Sequence, residues 1–234
     1  MLVWFLAQLH PQSPGLWLTL SLLTLLLQLV VWGSLSGRNR QLLALGRWVV
    51  IPYLGLVSGG LSPRLLGLSP IDWQASFSLG AGILFFMLAA LVLVRASTVL
   101  SPTATPGTAK SVQQGRAEQL WLAPYFSVLL LSGAEELHWA FLRGALWEMS
   151  LTLPTPPANT AYVAIWLATL IAAAELAVVH ISGRARLFKL VLLLASAILF
   201  FFTRNFWLCW FLHTLAWIIL LPAEKKQGLA AITP

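Results

Sequence analysis

Ionisable side chains occur in a segment that is otherwise apolar enough to lie in a lipid bilayer. Residues 120–150 contain Glu135, Glu136, His138 and Arg143 among mostly apolar neighbours. A charged side chain at the bilayer centre costs about 2.5 kcal/mol or more, so such groups face a bundle interior or a water-filled cavity and pair there. The stretch therefore predicts a buried polar site.

Two later apolar segments add further ionisable residues, Glu175 and His180 in one and His213 in the middle of another. Histidines and a carboxylate on separate helices can hold a metal ion. They can equally hold a water that a glutamate activates as general base, while the histidines stabilise the developing oxyanion. The simpler alternative is a set of interhelical hydrogen bonds and ion pairs that packs the bundle. We assign Glu175 to packing, because at helical spacing it points about 140° away from His180.

The composition places these residues in a membrane protein. Of the 234 residues 59% are hydrophobic and 9% are charged, which is too apolar for a soluble domain of this size. We therefore expect the protein to lie in a lipid bilayer. A net charge of +7 would suit nucleic acid in a soluble protein, but most Lys and Arg residues lie in or beside the short connections between apolar segments. Membrane orientation explains them better, and we expect no nucleic-acid partner.

The hydrophobic pattern predicts an all-α polytopic membrane bundle of about seven transmembrane helices. The apolar segments are residues 15–33, 48–61, 76–94, 120–150, 159–181, 187–202 and 206–221. Basic residues follow alternate segments, namely Arg38, Arg40 and Arg47, then Arg95, Lys110 and Arg116, then Arg184, Arg186 and Lys189, and finally Lys225 and Lys226. The intervening connections hold only Arg64 and Arg204. This alternation predicts an N-terminus outside and a cytoplasmic C-terminus.

The segments group into two membrane regions separated by a polar linker. Residues 1–95 form a three-helix N-terminal region, and residues 96–117, rich in Pro, Thr and Ser, form the linker on the cytoplasmic face. Residues 118–222 form a four-helix membrane domain, and residues 223–234 a cytoplasmic tail.

The order of polar residues in the four-helix domain resembles a known family. Glu135-Glu136 is followed by Arg143-Gly144 on the first helix, His180 ends the second, and His213 lies within the fourth. This order resembles the CPBP family, the CAAX prenyl endopeptidases and bacteriocin-processing proteins, also called the Abi domain.

The resemblance covers about residues 120–221, and it implies an intramembrane peptidase-like fold. It also implies that Glu135 or Glu136 is the general base and that Arg143 orients the two glutamates. His180 and His213 would hold the water or the developing oxyanion. Glu136, His180 and His213 are accordingly expected to converge in one cavity below the cytoplasmic surface. The requirement for a metal or another cofactor stays open, because the same side chains suit a metal or a water.

Each motif departs from the family pattern of Glu-Glu-x-x-x-Arg, Phe-x-x-x-His and His-x-x-x-Asn or Asp. Six residues separate Glu136 from Arg143, so the glutamate pair lies three residues early. Leu176 stands at the Phe position, and Trp217 stands at the amide or acid position. Three residues along a helix are about 4.5 Å, more than catalytic geometry tolerates. We expect slow or absent hydrolysis unless a helix bulge near Gly133 restores the register.

Two functions of different classes follow from these residues. The first is a CAAX-type intramembrane endopeptidase that cuts a membrane peptide near the cytoplasmic side. The second is a non-catalytic scaffold or assembly factor that binds a larger membrane protein complex, such as a photosynthetic one. A proton-relaying transporter is a third reading, which the lack of inverted repeats disfavours. The expected location is a bacterial plasma membrane or a thylakoid-type membrane.

Overall fold

The computed structural model describes residues 10–31, 37–100, 124–178 and 183–220, and this part of the chain contains helices and no strand. The helices are α1 (Pro14–Val31), α2 (Gly37–Leu45), α3 (Ile51–Val57), α4 (Trp73–Leu100), α5 (Pro124–Leu151), α6 (Thr160–Val178), α7 (Gly183–Thr203) and α8 (Phe206–Leu220). A π-helical turn, Gly46–Val50, joins α2 to α3 without a break. The described residues thus hold seven helical segments, in the order of the seven predicted apolar segments.

Within the described residues, four helices are long and apolar enough to cross a membrane. They cover Pro14–Val31, Trp73–Leu93, Thr160–Val178 and Arg186–Thr203. Each has at least 18 residues, which at about 1.5 Å per residue approaches the thickness of a hydrocarbon core. Two shorter helices, Leu42–Val57 and Phe206–Ile219, are also apolar. These lengths and compositions are compatible with an integral membrane protein.

Two helix ends differ from the sequence prediction. Residues 37–41 were expected in a polar turn but begin α2, and residues 96–100 were expected in the linker but end α4. Polarity alone does not end a helix, and neither stretch contains a Gly or Pro beyond its first residue to break one. The rest of the linker and the tail 223–234 lie outside the described residues.

Helix α5 lies at the centre of the bundle and contacts α1, α3, α6 and α8 as well as the π-helical turn. Its side chains Phe141 and Leu142 are fully buried. Helix α6 presents Ala164, Ala168 and Ala172 at four-residue spacing, and all three are buried. Small residues at this spacing let two helix backbones approach closely, which explains the tight α5–α6 packing.

One end of the bundle is closed by the loop of residues 58–72, which connects α3 to α4. The Phe206 amide donates a hydrogen bond to the Gly67 carbonyl at 3.0 Å. The Ser62 amide donates to Glu148 Oε2 at the same distance. The loop therefore lies against both the end of α5 and the turn between α7 and α8, so these chain reversals share one end of the bundle.

Substitution of Gly67 by alanine is expected to destabilise the protein by about 1–3 kcal/mol. Gly67 has φ +74°, and an added Cβ would lie 2.7 Å from the Arg204 carbonyl oxygen and 2.9 Å from the Phe206 nitrogen. Both atoms are backbone and cannot rotate away. Thermal unfolding in detergent micelles measures the effect. Gly82→Ala is the control, because nothing lies within 4 Å of its added Cβ, and equal shifts for the two variants would contradict the prediction.

Candidate functional site

Glu136 and Arg143 form a buried ion pair within α5, where seven residues place them on the same helix face two turns apart. Glu136 Oε1 accepts hydrogen bonds from Arg143 Nη2 and, at 2.7 Å, from Ser196 Oγ of α7. Arg143 Nη1 donates to Ser196 Oγ at 3.1 Å, and the guanidinium lies over the Phe200 ring at 4.5 Å. Glu136, Ser196 and Phe200 therefore fix the position of the Arg143 guanidinium.

Glu135 and His213 extend this arrangement across the bundle. Glu135 Oε1 accepts a hydrogen bond from Lys189 Nζ of α7 at 2.6 Å. The His213 ring of α8 lies between the two glutamates, with Nε2 at 3.5 Å from Glu135 Oε2 and Nδ1 at 3.4 Å from Glu136 Oε2. Trp139 stacks on this ring with centroids 4.8 Å apart. The contacts tie α5, α7 and α8 together.

We call Glu135, Glu136, Arg143, Lys189, Ser196 and His213 the charge network. Its Glu136 and His213 side chains are fully buried, and Glu135 is 4% exposed. Each of the four carboxylate oxygens lies within 3.5 Å of a basic or hydroxyl side chain of this chain. Because burial strips water from charges, each carboxylate depends on these partners.

A second buried group joins the N-terminal helices to the later ones. Glu175 of α6 lies 3.0 Å from Arg47 Nη1 through Oε1 and 2.8 Å from His138 Nε2 through Oε2. Arg47 belongs to the π-helical turn and is 3% exposed. Its assignment to a basic connection was therefore wrong, because the turn directs the side chain inward to a carboxylate. The interhelical contacts of Glu175 agree with the packing role predicted for it.

The structure brings together four of the five residues that the resemblance pointed to, Glu135, Glu136, Arg143 and His213. His180 lies outside the described residues, so its convergence with them stays a prediction. Helix α5 is α-helical over its described length, so no bulge near Gly133 changes the register. Arg143 instead reaches Glu136 across two turns.

The chain matches no protein-family model, no curated protein and no solved structure. The resemblance to the CPBP family therefore stays a hypothesis based on the order and spacing of residues.

Sequence reasoning missed two members of the charge network. Lys189 was grouped with the basic connections, although it lies three residues inside the apolar span Arg186–Thr203. A lysine three residues inside an apolar span needs a counter-ion, and Glu135 and Glu136 on another apolar segment also needed partners. This could have predicted that Lys189 pairs with one of them. Ser196 carried no signal, because serines are common in apolar helices.

Trp217, at the position of the family's amide or acid, lies with its ring centroid 5.6 Å from Lys189 Nζ.

The described residues hold no group of three or more His, Cys, Asp or Glu side chains arranged to bind a metal ion. A surface depression too small to hold a water molecule lies between α5, α6 and α7. Its lining consists of Trp139, Arg143, Ala168, Thr169, Ala172 and Leu193. Arg143 is the charged residue of this lining, and its Nη atoms are committed to Glu136 and Ser196. In this arrangement the network can stabilise the packing of three helices.

Proposed function

We propose that this protein is a non-catalytic helical membrane protein, a scaffold or assembly factor that binds another membrane protein, with a helix order resembling the CPBP family. One observation carries the proposal. All four carboxylate oxygens of Glu135 and Glu136 face side chains of the same chain. A general base must instead present an oxygen to a water at about 2.6–3.2 Å. The Oε1 atoms of Glu135 and Glu136 accept short hydrogen bonds from Lys189 and Ser196, and their Oε2 atoms face the His213 ring at 3.5 and 3.4 Å. These contacts suit two glutamates that hold helices together.

The outward side of α4 supports a membrane location for this function. Phe77, Phe85, Phe86 and Leu93 are each more than half exposed. Large apolar side chains facing outward are favourable against lipid tails or another membrane helix and unfavourable against water.

A charge-balanced substitution tests the proposal. In Glu136→Gln/Arg143→Gln a carboxylate and its cation are removed together, so neither charge is left buried alone. The scaffold function predicts that this variant accumulates, co-purifies with the same membrane proteins and supports the cellular role. An abundant variant that leaves a membrane peptide unprocessed would contradict the proposal. Glu135→Gln/Glu136→Gln is unsuitable, because it leaves Lys189 and Arg143 without counter-ions.

The second candidate function is a CAAX-type intramembrane endopeptidase. It is favoured by the position of His213 between two carboxylates, within 3.5 Å of both. In this function Glu135 or Glu136 activates water, and His180 and His213 hold the water or the oxyanion. In such a reaction a water would replace one of the long contacts between an Oε2 atom and the His213 ring, which are 3.4 and 3.5 Å. The charge-balanced variant would then be folded and inactive.

We also propose seven membrane spans, with the N-terminus outside and the C-terminus in the cytoplasm, in a bacterial plasma membrane or a thylakoid-type membrane. The loop-charge alternation supports this topology, and it persists when Arg47 and Lys189, which pair with buried glutamates, are left out. Single cysteines at Ser111 and Lys225, in a Cys209→Ala background, are expected to react with a membrane-impermeant reagent from the same side. A cysteine at His10 is expected to react from the opposite side. Labelling of Ser111 and Lys225 from different sides would contradict the topology.

A further inference from the structure

Lys189 is the member of the charge network closest to the outside. Its side chain is 15% exposed, whereas the Glu135 and His213 side chains are 4% and 0% exposed. It lies three residues inside the span Arg186–Thr203, which is about 4.5 Å along the helix axis. In the membrane topology proposed above, this depth corresponds to the boundary between headgroups and acyl chains. Lys189 therefore separates the buried carboxylates from the membrane surface.

The ammonium group of Lys189 occupies a site built from an anion and two aromatic rings. Glu135 Oε1 lies at 2.6 Å, and the ring centroids of Trp48 and Trp217 lie at 5.7 and 5.6 Å. Phe188 contacts the Trp217 ring edge to face, with centroids 6.2 Å apart, and so fixes its orientation. Indole faces within about 6 Å, combined with a carboxylate, are the groups with which proteins bind organic cations.

Lys189 can leave its position beside Glu135 more easily than Arg143 can leave its position beside Glu136. Its head group is carried by a flexible chain of four methylenes that can extend toward the membrane surface. Arg143, by contrast, is buried, donates to two side chains and lies over Phe200. Departure of Lys189 would leave the Glu135 carboxylate between two indole rings.

We infer that Glu135, Trp48 and Trp217 form a binding site for a primary ammonium group, which exchanges with the side chain of Lys189. The ligand is an ethanolamine lipid headgroup or a free alkylamine. A primary ammonium can donate the short hydrogen bond that Glu135 Oε1 now accepts from lysine, whereas a quaternary ammonium cannot. The site requires no catalysis. It shares the Glu135–Lys189 contact with the proposed scaffold function, whereas the contacts of Glu136 with Arg143 and Ser196 do not depend on it.

Chemical complementation of Lys189→Ala tests the site. The variant is expected to unfold at lower temperature in micelles, because Glu135 loses its cation. Added methylammonium chloride is expected to restore more than half of the lost Tm, whereas tetramethylammonium chloride or sodium chloride at equal ionic strength is not. In the matched variant Glu135→Gln/Lys189→Ala, methylammonium should have no effect beyond that of sodium. Equal responses of the two variants, or equal effects of the three salts, would overturn the site.

A second measurement uses the unsubstituted protein and so does not depend on the folding of a variant. The protein is placed in nanodiscs of equal parts ethanolamine, choline and glycerol phospholipids, and the retained lipids are identified by native mass spectrometry. Preferential retention of ethanolamine lipid, lost in Trp217→Leu, identifies the headgroup as the ligand. No lipid preference, together with a rise in the Tm of the unsubstituted protein with methylammonium chloride beyond that with sodium chloride, identifies a free amine. Absence of both results overturns the proposal.

Discussion

Replacing Glu136 with alanine is expected to destabilise the folded protein by about 3–5 kcal/mol. The variant leaves the Arg143 guanidinium buried with Ser196 as its remaining side-chain hydrogen-bond partner. It also removes one of the two carboxylates beside His213. An uncompensated charge in the interior of a bundle is more costly than the loss of the pair as a whole. Chemical unfolding in mixed micelles, followed by circular dichroism, measures the change.

Glu148→Ala is the matched control, because it removes the same side chain from the same helix at a half-buried position. Glu148 accepts a hydrogen bond from the Ser62 amide and lacks a cation partner among the described residues. The loss of this bond should cost about 1–3 kcal/mol. If Glu136→Ala costs no more than Glu148→Ala, the charge network does not stabilise the bundle as described.

Replacing Glu175 with alanine is expected to have an effect of similar size, about 3–5 kcal/mol. Arg47 and His138 then lose the carboxylate that lies between them. Because Arg47 comes from the π-helical turn and His138 from α5, the variant should loosen the N-terminal helices from the rest of the bundle. Hydrogen exchange of the backbone amides in Gly46–Val50 is expected to accelerate more than that in α8.

The double variant Arg47→Met/Glu175→Gln separates the cost of an unpaired charge from the value of the pair. Removing both charges is often neutral when the volume is kept, so this variant should recover most of the stability lost in Glu175→Ala. A double variant as unstable as the single one would show that the ion pair itself stabilises the bundle, and that the loss in Glu175→Ala is not only the cost of an unpaired charge.

The number and order of the helical segments followed directly from the sequence. A stretch of apolar residues long enough to span a bilayer must satisfy its backbone internally, so it forms a helix. The start of α2 and the end of α4 did not follow, because polar residues such as those at 37–41, or Ser97 and Thr98, continue a helix as readily as they end it. Only Gly, Pro or a capping contact fixes such a boundary.

The sequence predicted which glutamates and histidine belong to the candidate site, but not which residues they pair with. Glu135, Glu136 and His213 could be picked out because ionisable groups at membrane depth need partners. That Lys189 and Arg47 are two of those partners depends on the rotation and packing of helices distant in sequence. Each lies near the end of an apolar segment, where a basic residue normally indicates a loop. Trp217, a departure from the family pattern, proved to contact Lys189.

The separation of the paired residues along the chain has a consequence for how the protein is made. Arg143 follows Glu136 by seven residues, so this pair can form as soon as one helix has been made. Lys189 follows Glu135 by 54 residues, and His213 follows Glu136 by 77. At about 5–20 residues per second, Glu135 waits roughly 3–11 s for its lysine to be synthesised. Helix α5 is thus synthesised while one glutamate still lacks its cation, and the arrangement is completed only when the ribosome has released α8.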